Sequence, residues 1–454
     1  MLHSFSFHRK GKTEYFVFDC ERGSLYYADF PVFLLVKQLE GKLTEEETIA
    51  LNNLPVETVN DAKDELNSIL ETEKEKAEVE KFEYKGKNTT VKALCLHICH
   101  DCNLCCEYCF ASGGTYKTAR QYMSEETAKA AIDFLIKNSG FRKNIEIDFF
   151  GGEPLLNLDV VKAAVAYGKQ QAKAHNKVLT YTMTTNAVLL DKETIDFLNE
   201  EMDNVVLSID GRRSIHEKVR KSVNGESTYD VILNNAKEFV KVRGDKRYYI
   251  RGTFTTLNTD FSEDVKAMSD EEFHQISIEP VVLPSNHKLA LKDEQIPQIL
   301  DEYERLANLY LDRFGTEKWF SFFHFLIDLE HGPCLHKRLN GCGAGSEYLA
   351  ILPNGDIYPC HQFAGEEGFF MGSVFDGGKF NREIQLKFAS VNVTKKNECK
   401  NCFAKYTCSG GCAANAYHYE GDISKVYPQS CEMTRKRLEM ALVLYAKEKE
   451  NEQK

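Results

Sequence analysis

The sequence lacks any run of about eighteen apolar residues, the length that a membrane-spanning helix needs. It also lacks runs of lysine and arginine, and its net charge of −12 disfavours nucleic acid as a partner. The first residues have no long apolar core behind positive charge, so we expect no secretory signal and a cytoplasmic location. Without internal repeats or low-complexity segments, the 454 residues predict a soluble globular protein of several domains.

Cysteine, by contrast, is abundant and clustered. Six of the 15 cysteines lie between Cys95 and Cys109, and eight lie between Cys334 and Cys431. Disulfides are rare in a reducing cytosol, whereas clustered cysteines in a large unsecreted chain are typical of metal sites. The sequence therefore predicts metal binding in two separate regions.

The pattern of apolar residues predicts three domains. Residues 1–85 contain two strand-like segments, TEYFVFDC and SLYYADF, followed by three helical segments, which suggests a winged-helix-like domain. Thr44 and Glu47 form a capping-box pattern before the second of these helices. A charged stretch then leads, as a linker, into the next domain.

Residues 86–310 alternate between strand and helix patterns, which predicts an α/β domain with a parallel sheet. The six predicted strands are VKALCLHI, IEIDFF, TYTMTT, NVVLSID, YYIRGTFT and ISIEPVV. Six units would form a partial (β/α)6, TIM-like barrel with its chemistry at the C-terminal strand ends. Residues 311–454 form a third, cysteine-rich domain that ends in an amphipathic helix from about Glu432 to Lys449.

The first cysteine motif, CHDCNLCCEYCF, follows the first barrel strand. Cys102, Cys106 and Cys109 have the spacing C-x3-C-x2-C. Three thiolates on one loop can hold three irons of a four-iron cluster and leave the fourth iron open, whereas electron-transfer clusters normally take four cysteines. A structural zinc site is the alternative.

This motif, with Tyr108 beside its last cysteine and Gly-Gly-Glu-Pro directly after the second strand, resembles the radical S-adenosylmethionine (SAM) superfamily. The resemblance implies that SAM binds the open iron of a [4Fe-4S] cluster and is cleaved reductively. The resulting 5′-deoxyadenosyl radical would abstract a hydrogen atom from the substrate. Gly152 and Glu153 would hold the SAM amino group.

The same resemblance implies further SAM contacts at the ends of the later strands. The candidates, in chain order, are Thr185, Asn186, Ser208, Asp210, Arg220 and Arg251. Of these, Arg220 and Arg251 are alternatives for the SAM carboxylate, and each candidate could instead be a helix-capping group. Glu279, at the end of the sixth strand, is a catalytic candidate that faces the substrate.

The second cysteine motif resembles the SPASM extension of peptide-modifying radical SAM enzymes. Its members are Cys342, Cys360, Cys399, Cys402, Cys408, Cys412 and Cys431. The resemblance implies two auxiliary [4Fe-4S] clusters, three in all: Cys399, Cys402, Cys408 and Cys431 would hold the outer one, and Cys342, Cys360 and Cys412 the inner one. Either Cys334 or a substrate thiolate would complete the inner cluster. Zinc is an alternative for the C-x2-C pair.

With its flanking domains, the chain is most similar to maturases that form thioether crosslinks in SCIFF peptides. The resemblance implies a cysteine-rich precursor peptide whose leader binds the N-terminal domain, and a one-electron donor such as ferredoxin or flavodoxin, with neither nucleic acid nor membrane as a partner. That domain could instead be a structural cap. Other open functions are formylglycine formation, carbon–carbon crosslinking and non-catalytic electron transfer.

Overall fold

The computed structural model describes residues 1–73, 90–330 and 335–452. The chain begins with an antiparallel sheet in the order β1-β2-β3, followed by three helices. These elements are β1 (Leu2–Arg9), β2 (Lys12–Asp19), β3 (Ser24–Ala28), α1 (Phe30–Leu39), α2 (Glu45–Asn52) and α3 (Val56–Glu73). The capping box of Thr44 and Glu47 is present at the start of α2. Strand β1 was not predicted, and the winged-helix-like description stays a prediction. The predicted linker falls within residues 74–89, which are outside the described part of the chain.

The six predicted barrel strands are all present and are parallel to their neighbours. They are β4 (Ala93–Cys99), β5 (Asn144–Gly151), β6 (Val178–Thr185), β7 (Asn204–Ser208), β8 (Arg247–Phe254) and β9 (Gln275–Pro280). The helices of this region are α4 (Glu125–Asn138), α5 (Leu158–Ala174), α6 (Lys192–Glu201), α7 (Arg213–Val219), α8 (Tyr229–Arg243), α9 (Phe261–Asp270) and α10 (Ile296–Arg313). The parallel α/β sheet is thus confirmed.

The C-terminal region extends this sheet at both edges. Its elements are β10 (Ser321–Phe322), α11 (Leu335–Asn340), β11 (Tyr348–Ile351), β12 (Ile357–Tyr358), α12 (Arg382–Ser390), α13 (Lys405–Cys408), α14 (Ala413–Glu420) and α15 (Pro428–Glu452). Strand β10 pairs with β9 and β11 pairs with β4, both parallel, so the sheet has nine strands. Helix α15 is longer than predicted at both ends, and Cys431 therefore lies in its first turn.

Alternation along the strands separates two faces of the sheet. On β4, Leu94, Leu96 and Ile98 pack in the large core with the helices, whereas Cys95 packs on the other face with Cys360 of the C-terminal region. We call this second face, which carries Cys95, the inner face of the sheet. Among the described residues, no helix is both long and apolar enough to cross a lipid bilayer.

Candidate active site

The loop after β4 carries Cys102, Cys106 and Cys109, all of them partly exposed. Its backbone is tied to the segment after α7, because the Cys105 amide donates to the Lys221 carbonyl at 2.8 Å. Burial raises the pKa of Cys102 to about 12 and that of Cys106 to about 11. Free thiols would therefore stay protonated here, and a bound metal would have to displace their protons.

The Gly-Gly-Glu-Pro segment packs directly on this cysteine loop. The Gly152 amide donates to the Cys99 carbonyl at 2.9 Å, and the Glu153 amide donates to the Asp101 carbonyl at 2.8 Å. A Cβ atom on Gly152 would lie 1.9 Å from the Asp101 carbonyl oxygen, so only glycine allows this approach. Gly152 therefore fixes the position of the cysteine loop relative to the end of β5.

The carboxylate of Glu153 is buried and joins the ends of β5 and β6. It accepts hydrogen bonds from the Thr185 hydroxyl and the Asn186 amide, both at 2.7 Å, and from the Leu155 amide at 3.1 Å. Burial raises its pKa, and these donors oppose that shift. The predicted residues Glu153, Thr185 and Asn186 are thus brought together.

Asn186 also connects this cluster to the cysteine loop. Its side-chain amide donates to the Asn103 oxygen at 2.7 Å and lies 3.8 Å from the Cys102 sulfur. The predicted Cys102 and Asn186 are therefore neighbours. Sequence reasoning missed Asn103, although it directly follows the first cysteine of the motif.

Tyr108, Asp210 and Arg220 form a second cluster beside the cysteine loop. The Tyr108 hydroxyl donates to Asp210 Oδ2 at 2.6 Å, and Arg220 Nη2 donates to the Tyr108 hydroxyl at 2.5 Å. Arg220 Nε lies 3.2 Å from Asp210 Oδ2, and both side chains are buried. The Thr253 amide donates to Asp210 Oδ1 at 3.0 Å. Both oxygens of Asp210 therefore have partners within the protein.

Arg251 and Glu279 form a third cluster, on the inner face of the sheet. Arg251 Nη2 lies 3.5 Å from Glu279 Oε1, and the Arg251 side chain is 52% exposed. Ser208 of β7 is the neighbour of Arg251 across the parallel pair. The two arginine candidates thus differ: the Arg220 side chain is 10% exposed, whereas about half of the Arg251 side chain is exposed.

Glu279 has two further basic neighbours, a histidine and an arginine, that the sequence did not reveal. His324 Nε2 lies 2.9 Å from Glu279 Oε1, and Arg437 Nη1 lies 3.9 Å from Oε2. Burial would raise the pKa of Glu279, but His324, Arg251 and Arg437 lower it to about 2. Arg437 Nη1 also lies 3.1 Å from His324 Nδ1. Because arginine can only donate, Nδ1 of a neutral His324 accepts this bond and the ring proton lies on Nε2.

The C-terminal cysteines fall into two groups. Burial raises the pKa of Cys360, and Cys412 and Cys342 contribute to that shift. Burial likewise raises the pKa of Cys399 to about 11, and Cys408, Cys431 and Cys402 contribute. We call Cys342, Cys360 and Cys412 the inner cysteine group, and Cys399, Cys402, Cys408 and Cys431 the outer cysteine group. Cys334 lies outside the described residues.

A tight turn explains why Cys408 and Cys412 join different groups. Ser409, Gly410 and Gly411 between them have φ angles of 59°, 86° and 78°. This left-handed backbone suits glycine and reverses the chain between the two cysteines. The three residues between Cys408 and Cys412 therefore direct the two sulfurs into different cysteine groups.

The cysteine groups differ from a site for a single metal ion. Within residues 1–73, 90–330 and 335–452, no three His, Cys, Asp or Glu side chains converge closely enough to hold one ion. A structural zinc ion draws its ligands to within about 2.3 Å of one centre. In a four-iron cluster each cysteine binds its own iron, so the sulfurs lie further apart. Thiol donors in groups of three, three and four fit clusters of this kind.

The cysteine loop after β4 and the glycine-rich turn after β5 lie together at one end of a parallel α/β sheet, as the resemblance to radical SAM enzymes predicts. Residues 96–259, a stretch that includes β5 to β8, match the model of the radical SAM superfamily. The radical SAM cyclopropyl synthase TigE of Paramaledivibacter caminithermalis is 25% identical over 361 residues, or 76% of this chain and 72% of TigE.

Two solved structures share the fold. The first, native anSMEcpe with bound AdoMet, has a TM-score of 0.65 at 21% identity and covers 79% of this chain and 99% of its own. The second, Streptococcus suis SuiB bound to S-adenosylmethionine, has a TM-score of 0.56 at 18% identity and covers 92% of this chain and 96% of its own. A further SuiB structure contains the precursor peptide SuiA.

Proposed function

We propose that this protein is a radical SAM maturase that forms thioether crosslinks in a cysteine-rich precursor peptide. The observation that carries the proposal is the inner cysteine group. It supplies three thiols, and one of them, Cys360, packs against Cys95 on the inner face of the barrel sheet. A four-iron cluster held by these three thiols would have one iron without a cysteine ligand from this group, and a substrate cysteine could bind that iron.

We assign the first [4Fe-4S] cluster to Cys102, Cys106 and Cys109, with SAM on its open iron. When bound, these groups supply a 5′-deoxyadenosyl radical, which removes a hydrogen atom from the substrate. Asn186 and Glu153 orient the cysteine loop from the ends of β6 and β5. The inner and outer cysteine groups would hold two auxiliary clusters.

The protein's own contacts divide the predicted SAM ligands into two kinds. Asp210 and Arg220 form hydrogen bonds with each other and with Tyr108, and these bonds occupy their polar atoms. We therefore assign both residues to positioning the loop beside SAM. Arg251 and Ser208 lie on the inner face, and the half-exposed guanidinium of Arg251 is available to a carboxylate. We therefore prefer Arg251 over Arg220 for the SAM carboxylate.

Glu279 and His324 are proposed to hold the substrate. Glu279 stays anionic at neutral pH because its pKa is lowered to about 2, so it can accept a hydrogen bond from a peptide N–H. The substrate would lose one C–H hydrogen atom to the 5′-deoxyadenosyl radical, one S–H proton to solvent and one electron to an auxiliary cluster, and would gain a C–S bond. The net change is the removal of two hydrogens.

The N-terminal sheet offers a binding edge for the leader of the peptide. Strand β2 is central, and β3 pairs only with β2 among the described residues. An extended peptide can add to such an edge as a further strand. The SuiB structure with its precursor peptide SuiA supports a peptide substrate for this fold.

The test uses the protein reconstituted anaerobically with iron and sulfide, then incubated with SAM, dithionite and a small cysteine-rich peptide encoded beside its gene. The peptide mass is measured after thiol alkylation. Loss of two hydrogens, with one fewer alkylatable thiol per event, is the expected result. Loss of two hydrogens with every thiol still alkylatable would indicate carbon–carbon crosslinking. An unchanged peptide with 5′-deoxyadenosine produced would refute the proposed substrate class.

A further inference from the structure

Lys396 is a buried lysine beside both cysteine groups of the C-terminal region. Only 3% of the surface of Lys396 is exposed to solvent. The ammonium nitrogen donates to the carbonyl oxygens of Gly410 and Lys425, each at 2.8 Å. Gly410 belongs to the left-handed turn that sends Cys408 and Cys412 in different directions. Lys396 therefore holds the turn on which the separation of the two groups depends.

This ammonium group has no acidic partner in the part of the chain that the structure describes. Two carbonyl oxygens leave its charge uncompensated, and an unpaired buried charge is strongly unfavourable. Burial lowers the pKa of Lys396, and four nearby cysteines, when deprotonated, oppose that shift. They are Cys399, Cys408 and Cys431 of the outer cysteine group and Cys412 of the inner one. An anionic group held by one or both cysteine groups would balance the charge of the Lys396 ammonium.

We propose that Lys396 is a positioning residue that supplies the fixed counter-charge for the two auxiliary clusters and raises their reduction potentials. This inference rests on the assignment of auxiliary clusters under the proposed function. A four-iron cluster with thiolate ligands is anionic, and one-electron reduction makes it more negative. A nearby cation therefore favours the reduced form, and net charge is one of the factors that set such potentials.

The size of the effect follows from analogous proton equilibria. An opposite charge within about 4–6 Å shifts a carboxyl pKa by 1–3 units, which is at least about tenfold in the equilibrium. We expect removal of the Lys396 charge to disfavour reduction of the auxiliary clusters by about tenfold or more. For a one-electron couple, tenfold corresponds to about 59 mV.

The test compares Lys396→Met, Lys396→Gln and Lys396→Arg with the unchanged protein, all reconstituted anaerobically with iron and sulfide. Lys395→Met is the matched control, because its neighbouring side chain is exposed. Iron and sulfide per chain are measured first. Redox titration followed by EPR then gives the midpoints of the auxiliary clusters and of the cluster on the β4 loop.

Lower auxiliary midpoints in the Met and Gln variants, with the Arg and Lys395→Met variants and the β4-loop cluster unchanged, are expected. Loss of auxiliary iron in the Met and Gln variants but not in the Arg variant would also support a charge role. Unchanged midpoints with full iron would overturn the inference, as would equal loss of iron in all three Lys396 variants. If the unchanged protein takes up no auxiliary iron, the cluster assignment itself fails, independently of Lys396.

Discussion

The pair of Asp210 and Arg220 gives the sharpest test of how the site is held together. Its ion pair is 3.2 Å long, and the side chains are 0% and 10% exposed. Removing one partner of a buried pair costs about 3–5 kcal/mol, because the other charge is left buried and unpaired. We therefore expect Arg220→Met to lower the free energy of unfolding of the barrel by about 3–5 kcal/mol.

A double-mutant cycle separates this pairing from simple loss of packing. Asp210→Asn in the Arg220→Met background removes the stranded carboxylate, so the double variant should be more stable than the sum of the single changes predicts. Coupling between residues in contact is about 0.5–3 kcal/mol. The assay is urea unfolding followed by circular dichroism, with iron content measured on the same samples.

An exposed ion pair provides the control. Arg213 pairs with Asp230, and their side chains are 49% and 64% exposed. Arg213→Met should have little effect on unfolding, because water screens such pairs. Additive effects of Asp210→Asn and Arg220→Met, or a cost for Arg220→Met no larger than that of the control, would refute the reasoning.

Three further predictions concern separate parts of the site. Gly152→Ala should displace the β4 loop, since the added Cβ would lie 1.9 Å from the Asp101 carbonyl oxygen, and chemical analysis should find less iron bound by the purified protein. Cys360→Ala should abolish crosslinking while 5′-deoxyadenosine is still formed, and persistence of crosslinking would contradict the role of the inner cysteine group. Because folding lowers the pKa of Glu279 from 4.5 to about 2, its ionised carboxylate stabilises the folded state at pH values above 4.5. This stabilisation is lost as the pH falls towards about 2. In Glu279→Gln the free energy of unfolding should therefore fall less between pH 4.5 and pH 2 than in the unchanged protein. An equal fall in both proteins would show that the basic neighbours of Glu279 do not stabilise its carboxylate.

The sequence predicted the parts of the fold that have strong periodicity. The six barrel strands alternate with amphipathic helices, and the strand ends mark where Glu153 and Thr185 would lie. Strands β10 and β12 have two residues each, which is too short for alternation to be recognised. Their pairing at the sheet edges depends on tertiary contacts.

Contacts between residues that are far apart in the sequence could not be predicted for the site either. Glu279 was recognised at a strand end, but His324 and Arg437 come from a short turn and from α15. Nothing near either residue in the sequence indicates a shared carboxylate. Lys396 lies three residues before Cys399, but only the structure reveals its burial beside both cysteine groups.

The register of the sheet connects the two cysteine regions. Cys95 of β4 pairs with Ala350 of β11, and β11 continues through an antiparallel pair into β12, which is followed by Cys360. The loop with Cys102 leaves the C-terminal end of the same strand β4. The first cysteine motif and Cys360 of the inner cysteine group are therefore attached to one continuous sheet, and strand pairing fixes how the strands that carry them are placed. Under the proposed function, a substrate cysteine bound near Cys360 would be held in a set position relative to the cysteine loop, and such positioning favours reaction between two groups.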